Sequence, residues 1–308
     1  MYLISTIRAS APAGRGQLAC RRSLSVGRRV ALLGFPEDRN SSFMRGAAGA
    51  PPLVRAALSS PASNAFSERG VDLGELVTDF GDLPREDSGD HDHAALLRKA
   101  SPAILRILSQ DHVPLVLGGD HSITYAVVKS IARAAGGPPP VIIHFDAHPD
   151  IYDSFEGSLS SHACQMARIC EEGLAARLIS LGVRTLTPHQ RRQVEHFGVH
   201  VVAASDFPAR GELGPLLEGL VPPGSAIYLS LDVDVLEPGL APGVSHREAG
   251  GLTPRQCIDA IQALPGEVIG ADVVEFNPSR DVDGLTASVV AKLVKEIAGR
   301  IILGSNRQ

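Results

Sequence analysis

The chain has 308 residues, 44% of them hydrophobic and 20% charged, which excludes a mainly disordered or collagen-like polymer and is ample to bury a core. Its 29 basic and 34 acidic residues give a formal charge of -5; with no basic stripe interleaved with aromatics, nucleic acid is not an expected partner. Arg, Asp, Gly or Pro breaks every apolar run before the roughly 18 residues of a membrane-spanning helix, so no membrane is expected either, and four cysteines without a C-x-x-C pair fit a reducing compartment better than a disulfide framework.

Residues 1–36 carry Arg8, Arg15, Arg21, Arg22, Arg28 and Arg29, with several Ser and Ala and no acid before Glu37. That is the composition of an organellar transit peptide over about residues 1–30; a disordered basic tail is the other reading. Residues 31–308 are then the mature chain, without an internal repeat, a low-complexity stretch or a change of composition, and are expected to form one domain.

A first strand is expected at 30–35, followed by a loop with Asn40, Ser41, Ser42 and Phe43 and a helix at 52–58. Residues 59–67 read as loop, 77–80 as a short strand, and 85–93 as an acidic loop leading into a helix at 94–108. Buried strands follow as short apolar runs at 113–117, 141–145, 178–183, 226–233 and 268–274. Helical stretches separate or follow them at 123–135, 163–176, 188–197, 254–263 and 285–300. Continuous Val/Ile/Leu runs alternating with helices indicate an α/β fold with a parallel sheet covered on both faces. In such a sheet the ligand site lies at the carboxyl ends of the strands.

Those ends carry chemistry. After 141–145 come Asp146, His148 and Asp150, spaced by two, which on an extended chain puts three metal-type ligands on one face. The run at 226–231 leads to Asp232 and Asp234, again spaced by two, and 113–117 delivers Gly118, Gly119, Asp120, His121 and Ser122. Ionised carboxylates at the ends of buried strands are costly unless paired or metal-bound, and four of them repel. Two divalent cations balance four carboxylates, and mixed imidazole and carboxylate ligands suit Mn, with Zn, Co, Ni or Fe as competitors.

Gly-Gly-Asp-His-Ser at 118–122, Asp-Ala-His-Pro-Asp at 146–150 and Ser-Leu-Asp-Val-Asp at 230–234 resemble the three metal motifs of the ureohydrolase family, the arginases and agmatinases. Further similarities are Asn-Ser-Ser-Phe at 40–43, Asp-Ile-Tyr-Asp at 150–153, Ser-His-Ala at 161–163, Ala-Pro-Gly-Val-Ser-His at 241–246 and Val-Glu-Phe-Asn-Pro at 274–278. Together these are most similar to plant-type arginases, over about residues 31–301. The resemblance implies a three-layer α/β/α fold with a mainly parallel central sheet, and makes 31–308 the catalytic domain.

It also implies two Mn2+ per chain. His121 and Asp150 would hold one, His148 and Asp234 the other, and Asp146 and Asp232 would bridge them. Two metals sharing one water lower its pKa until hydroxide exists at neutral pH. Hydroxide would attack the carbon of a small cationic guanidine, L-arginine in the favoured reading, and urea would leave together with an amine, ornithine. Agmatine or another guanidine is the alternative substrate, and a catalytically idle family member acting in assembly a third reading. His162 matches the family's proton shuttle and Glu275 its guanidinium partner, so that His162, Glu275 and the ligand Asp150 form the catalytic set. His246 is a second candidate for substrate contact. The family also implies a homo-oligomer, a trimer or hexamer, and a mitochondrial location, with plastid or cytosol as alternatives.

Asp120 is expected to orient backbone or a ligand from behind, and His144 to pack or support in the same way. Asp90, His91, Asp92 and His93 look metal-like but precede a helix in a polar loop, as a solvated N-cap region does. His189, His196 and His200 read as surface residues, and Cys164 and Cys170 as unpaired thiols. Two departures stand out. Glu237 occupies a position where relatives commonly have Asp, and Arg247, Glu248 and Ala249 replace a segment that usually carries a Pro before the paired glycines Gly250 and Gly251.

Overall fold

The computed structural model describes residues 28–86 and 88–304. The expected leader lies outside the described residues apart from its last three positions, two of which already belong to a strand. In chain order the elements are β1 (Arg29–Phe35), α1 (Ala50–Leu58), β2 (Val77–Asp82), α2 (His93–Ser109), β3 (His112–Gly118), α3 (Ile123–Ala135), β4 (Val141–Phe145) and α4 (Gln165–Glu171). Then follow β5 (Arg177–Val183), α5 (Pro188–Phe197), β6 (His200–Ala203), α6 (Arg210–Leu220), β7 (Ala226–Asp232), α7 (Pro254–Ala263), β8 (Glu267–Val274) and α8 (Leu285–Leu303).

The eight strands form one sheet in the order β2-β1-β3-β8-β7-β4-β5-β6, with every pairing parallel. Parallel strands need crossovers, and the helices that supply them cover both faces. On one face α1, α6, α7 and α8 pack through Val54, Leu217, Ile261 and Leu293. On the other, α2, α3, α4 and α5 pack through Ile104, Ile131, Met166 and the half-buried Val194. The result is the expected three-layer α/β/α sandwich, in which β3, β4, β7 and β8 are covered on both sides and their carboxyl ends lie next to one another.

Two elements were not expected from the sequence. β6 is a four-residue edge strand, half-buried and too short to show alternation. α6 contains Gly211, Gly214, Gly219 and Pro215, residues that signal a loop when read locally; burial of Leu213 and Leu217 against the sheet overrides that preference. α4 is shorter than the 163–176 expectation, and Gly173 follows it at φ +63°.

Candidate metal centre

Each strand end places its side chains by a different local device. β3 stops at Gly118, and Gly119 lies against the loop after β1: a Cβ on Gly119 would fall 1.7 Å from the carbonyl oxygen of Glu37, so only glycine fits. The Asp120 amide donates to that same carbonyl at 2.7 Å, and the next residue, His121, turns inward and is wholly buried.

β4 ends at Phe145, so Asp146, His148 and Asp150 lie in a loop and do not continue a strand as their spacing suggested. Their convergence comes from backbone bends, most clearly at Asp150 with φ +47°. β7 ends at Asp232 and passes into a 3-10 turn at Val233–Val235. Asp232 Oδ1 accepts the Asp234 amide at 2.7 Å, which brings the second aspartate back beside the first. Arg184 holds the turn from outside, donating to the carbonyls of Asp234, Val235 and Leu236.

The side chains meet closely. Nδ1 of His121 lies 3.1 Å from Oδ2 of each of Asp146, Asp150 and Asp232. Nδ1 of His148 lies 3.3 Å from Asp146 Oδ1 and 3.2 Å from Asp234 Oδ2. Asp146 therefore presents one oxygen to each histidine. A buried imidazole nitrogen without a well-aligned hydrogen bond and ringed by three carboxylates has the donor chemistry of a cation site. The possible metal-holding groups are His121, His144, Asp146 and Asp150, and Asp146, His148 and Asp234.

Electrostatics leads to the same conclusion. Burial opposes a charge on His121, yet the bonds to Asp146, Asp150 and Asp232 outweigh it and raise its pKa well above the ordinary value. His148 is likewise raised despite burial, by Asp234 and Asp146. Burial and then the neighbouring carboxylates Asp234 and Asp146 push Asp232 well up, whereas for Asp146 the histidines, His144 foremost, reverse the effect of burial and hold it down. Crowded buried carboxylates of this kind are what divalent charge would neutralise.

Partners behind the cluster fix its orientation. Nε2 of His121 is 2.9 Å from Ser230 Oγ, which donates to Asp272 at 2.7 Å. Asp272 also accepts from Thr124 Oγ1 at 2.9 Å and Tyr228 OH at 2.5 Å. His144 bridges Ser180 and Asp146, at 3.2 and 2.9 Å. Asp272 was missed by sequence reading, although a lone acid inside the apolar run of β8 was the available signal. Asp120 accepts the Asn40 amide and both donors of Ser122, holding the Asn-Ser-Ser loop. Burial foremost, then the Glu275 charge, raises its pKa to about 7.

That loop reaches His162, which is buried beside the cluster. The Asn40 carbonyl accepts the His162 amide at 3.1 Å, and Ser42 Oγ lies 2.9 Å from its Nε2. Nδ1 of His162 is 2.8 Å from Glu275 Oε1, which also accepts the His121 amide at 2.8 Å. Glu275 sits just past β8 at φ +64°, a conformation that costs a non-glycine residue about 1–3 kcal/mol and swings its carboxylate into the site. Burial works against the His162 charge, but Glu275 more than compensates and lifts the imidazole to about 9. His246 stands beside both histidines, its ring 5.3 Å from His162 and 6.0 Å from His148, and 5.7 Å from Phe43.

The remaining sequence candidates lie elsewhere. Asp92 caps α2 by accepting the Ala95 amide at 2.8 Å, as expected, but His93 is not solvated: it packs on Tyr125, and burial lowers it to about 4. His196 and His200 are exposed, while His189 is half-buried and stacks on Tyr152 at 5.3 Å. Cys164 and Cys170 are unpaired. Glu237 accepts the amides of Gly250 and Gly251 at 2.7 and 2.9 Å, so its extra reach pins the loop that follows His246. Within that loop Glu248 comes to 3.7 Å from His148 Nε2.

Comparison with known proteins agrees with this geometry. The chain is 45% identical over 278 residues to "Arginase 1, mitochondrial" of Oryza sativa subsp. indica, an alignment covering 88% of this chain and 81% of the relative. It is 45% identical over 280 residues to the protein of the same name from Arabidopsis thaliana, with 88% and 81% covered. The solved arginase of Medicago truncatula superposes with a TM-score of 0.80 at 39% identity, covering 90% of this chain and 89% of that one. The profile described as Arginase family matches residues 28–299, and the chain belongs to that family of hydrolases.

Proposed function

We propose that the protein is a manganese-dependent arginase that hydrolyses L-arginine to urea and L-ornithine. The observation that carries this reading is the ring of three carboxylate oxygens, each 3.1 Å from His121 Nδ1, one of whose residues, Asp146, turns its second oxygen to His148. His121 and Asp150 would hold one Mn2+, His148 and Asp234 the other, with Asp146 shared. Asp232 faces His121, and its sharing rests on the family motif. When bound, the pair supplies hydroxide near neutral pH by acidifying a water.

The chain's own groups do the rest. Both hydrogen bonds to Glu275 fall on Oε1, leaving Oε2 without one among the described residues, open to a guanidinium N–H. Glu275 would thereby bind the cation and at the same time favour the protonated form of His162, the general acid that the departing amine requires. Buried walls around both residues limit water and strengthen that pairing. His246, its ring 5.3 Å from that of His162, would flank the substrate.

Names of the relatives favour arginine over agmatine and suggest a mitochondrial location. Arg28 bonds to Glu267 and to the Val268 carbonyl, and β1 begins at Arg29, so a leader would have to be removed at or before about residue 28 to leave β1, an interior strand paired with β2 and β3, intact. A homo-oligomer, trimer or hexamer, belongs to the same reading. Urea release from arginine, agmatine and free guanidine by one manganese-loaded preparation, with metal counted by elemental analysis, tests it. Two metals and a preference for arginine are expected; no urea from any of the three would overturn it.

A further inference from the structure

Gln165 opens α4 and is completely buried. Its Nε2 donates to Asp150 Oδ2 at 2.7 Å, and that oxygen is the one that lies 3.1 Å from His121 Nδ1. Among the described residues its Oε1 has no hydrogen-bond partner. Rotating the amide by 180° would not help: it would set Oε1 against a carboxylate oxygen at the same short distance, two acceptors facing each other. The bond to Asp150 therefore fixes the amide orientation and leaves a buried carbonyl oxygen unsatisfied, an unfavourable arrangement for the fold by itself.

Asp150 is held at a second point by the same helix start. The Met166 amide donates to the Asp150 carbonyl at 3.1 Å, while the Asp150 backbone sits at φ +47°. One backbone and one side-chain bond from adjacent residues thus clamp a strained residue, itself buried, whose carboxylate meets His121.

We infer that Gln165 is a positioning residue for metal binding: it aims Asp150 Oδ2 at the His121 side of the centre, and its unsatisfied oxygen is a stability cost accepted for that aim. The inference rests on the manganese reading above. Outer partners that orient a ligand typically change metal affinity by about 10–100-fold when removed.

The test is Gln165→Met, which keeps length and buried volume and removes both polar atoms. Manganese affinity is read by calorimetric titration of the metal-free protein, and Tm is read without metal. The expected result is a weaker Mn2+ Kd, by about 10–100-fold, with a metal-free Tm that is unchanged or higher because the orphaned oxygen is gone. If the Met variant fails to fold, Gln165→Leu carries the same comparison. Wild-type protein that binds two Mn2+ alongside a variant of equal affinity overturns the inference alone. So does a metal-free Tm that falls in step with affinity, which would mean Gln165 supports only the fold. Wild-type protein that binds no Mn2+ overturns the metal reading and this inference together.

Discussion

Oε1 of Glu275 and Nδ1 of His162 lie 2.8 Å apart, both buried. The carboxylate lifts the imidazole to about 9 against the effect of burial. The donor form is therefore full below that pH and is lost as pH rises through it. The alkaline limb of kcat is expected near pH 9, and Glu275→Gln should move it toward the ordinary imidazole value of about 6.5. A limb unmoved in a pH–rate profile of the variant would assign that proton to another group.

His121→Ala and Asp234→Ala should lose metal and urea production together, because each removes a cluster side chain that nothing nearby can replace. His162→Ala should keep its metal while kcat falls by about 10² to 10⁴, the usual contribution of a positioned general acid. Elemental analysis beside turnover separates the two classes; full metal and full activity in either of the first two variants would remove it from the ligand set.

Asp272→Ala leaves the hydroxyls of Thr124, Tyr228 and Ser230 without their common acceptor. Each buried unsatisfied donor costs about 1–3 kcal/mol, so an overall loss of at least about 3 kcal/mol is expected in denaturant unfolding. His121 should also lose its fixed orientation, visible as weaker manganese binding. A loss below 1 kcal/mol would mean that the three hydroxyls find other partners.

Asp272 also marks the limit of what the sequence discloses. The cluster was legible because each motif is local: ligand-type residues crowd into a few positions after an apolar run, as in Asp146, His148 and Asp150. What was not legible depends on partners far apart in the chain. Asp272 meets Thr124 across 148 residues, and the Glu275–His162 bond spans 113, separations that only the strand order β3-β8-β7-β4 brings into contact. The fold was readable for the doubly covered strands, where burial leaves a continuous apolar run. It was not readable for β6 and α6, where an edge position and glycine-rich sequence remove the periodic signal. The detailed convergence at 146–150 differed from the spacing argument because Asp150 adopts a positive φ that alternation cannot anticipate.

Residues 1–36 fused to a fluorescent reporter should direct it into mitochondria, and the N-terminus of the imported enzyme, read by mass spectrometry, should fall at or before about residue 28. A reporter that stays in the cytosol would leave the basic tail as the better account of that composition.

Substrate choice turns on the amino-acid end of arginine. Two positions after Asp150, in the Asp-Ile-Tyr-Asp segment at 150–153, stands Tyr152. That ring is committed elsewhere, stacked on His189 with its hydroxyl 3.2 Å from Thr187 Oγ1. Other polar groups must then satisfy the α-carboxylate and α-amine. A site built for the carboxylate leaves those groups unpaired when agmatine binds, and a missing polar partner of that kind costs several kcal/mol, about 10²-fold or more in kcat/KM. Arginine should therefore exceed agmatine by at least that factor in steady-state assays of the manganese-loaded enzyme. A kcat/KM for agmatine equal to or above that for arginine would reassign the substrate and leave the metal centre as described, because in the proposed reading Glu275 and His162 would act on the guanidinium end that both molecules share.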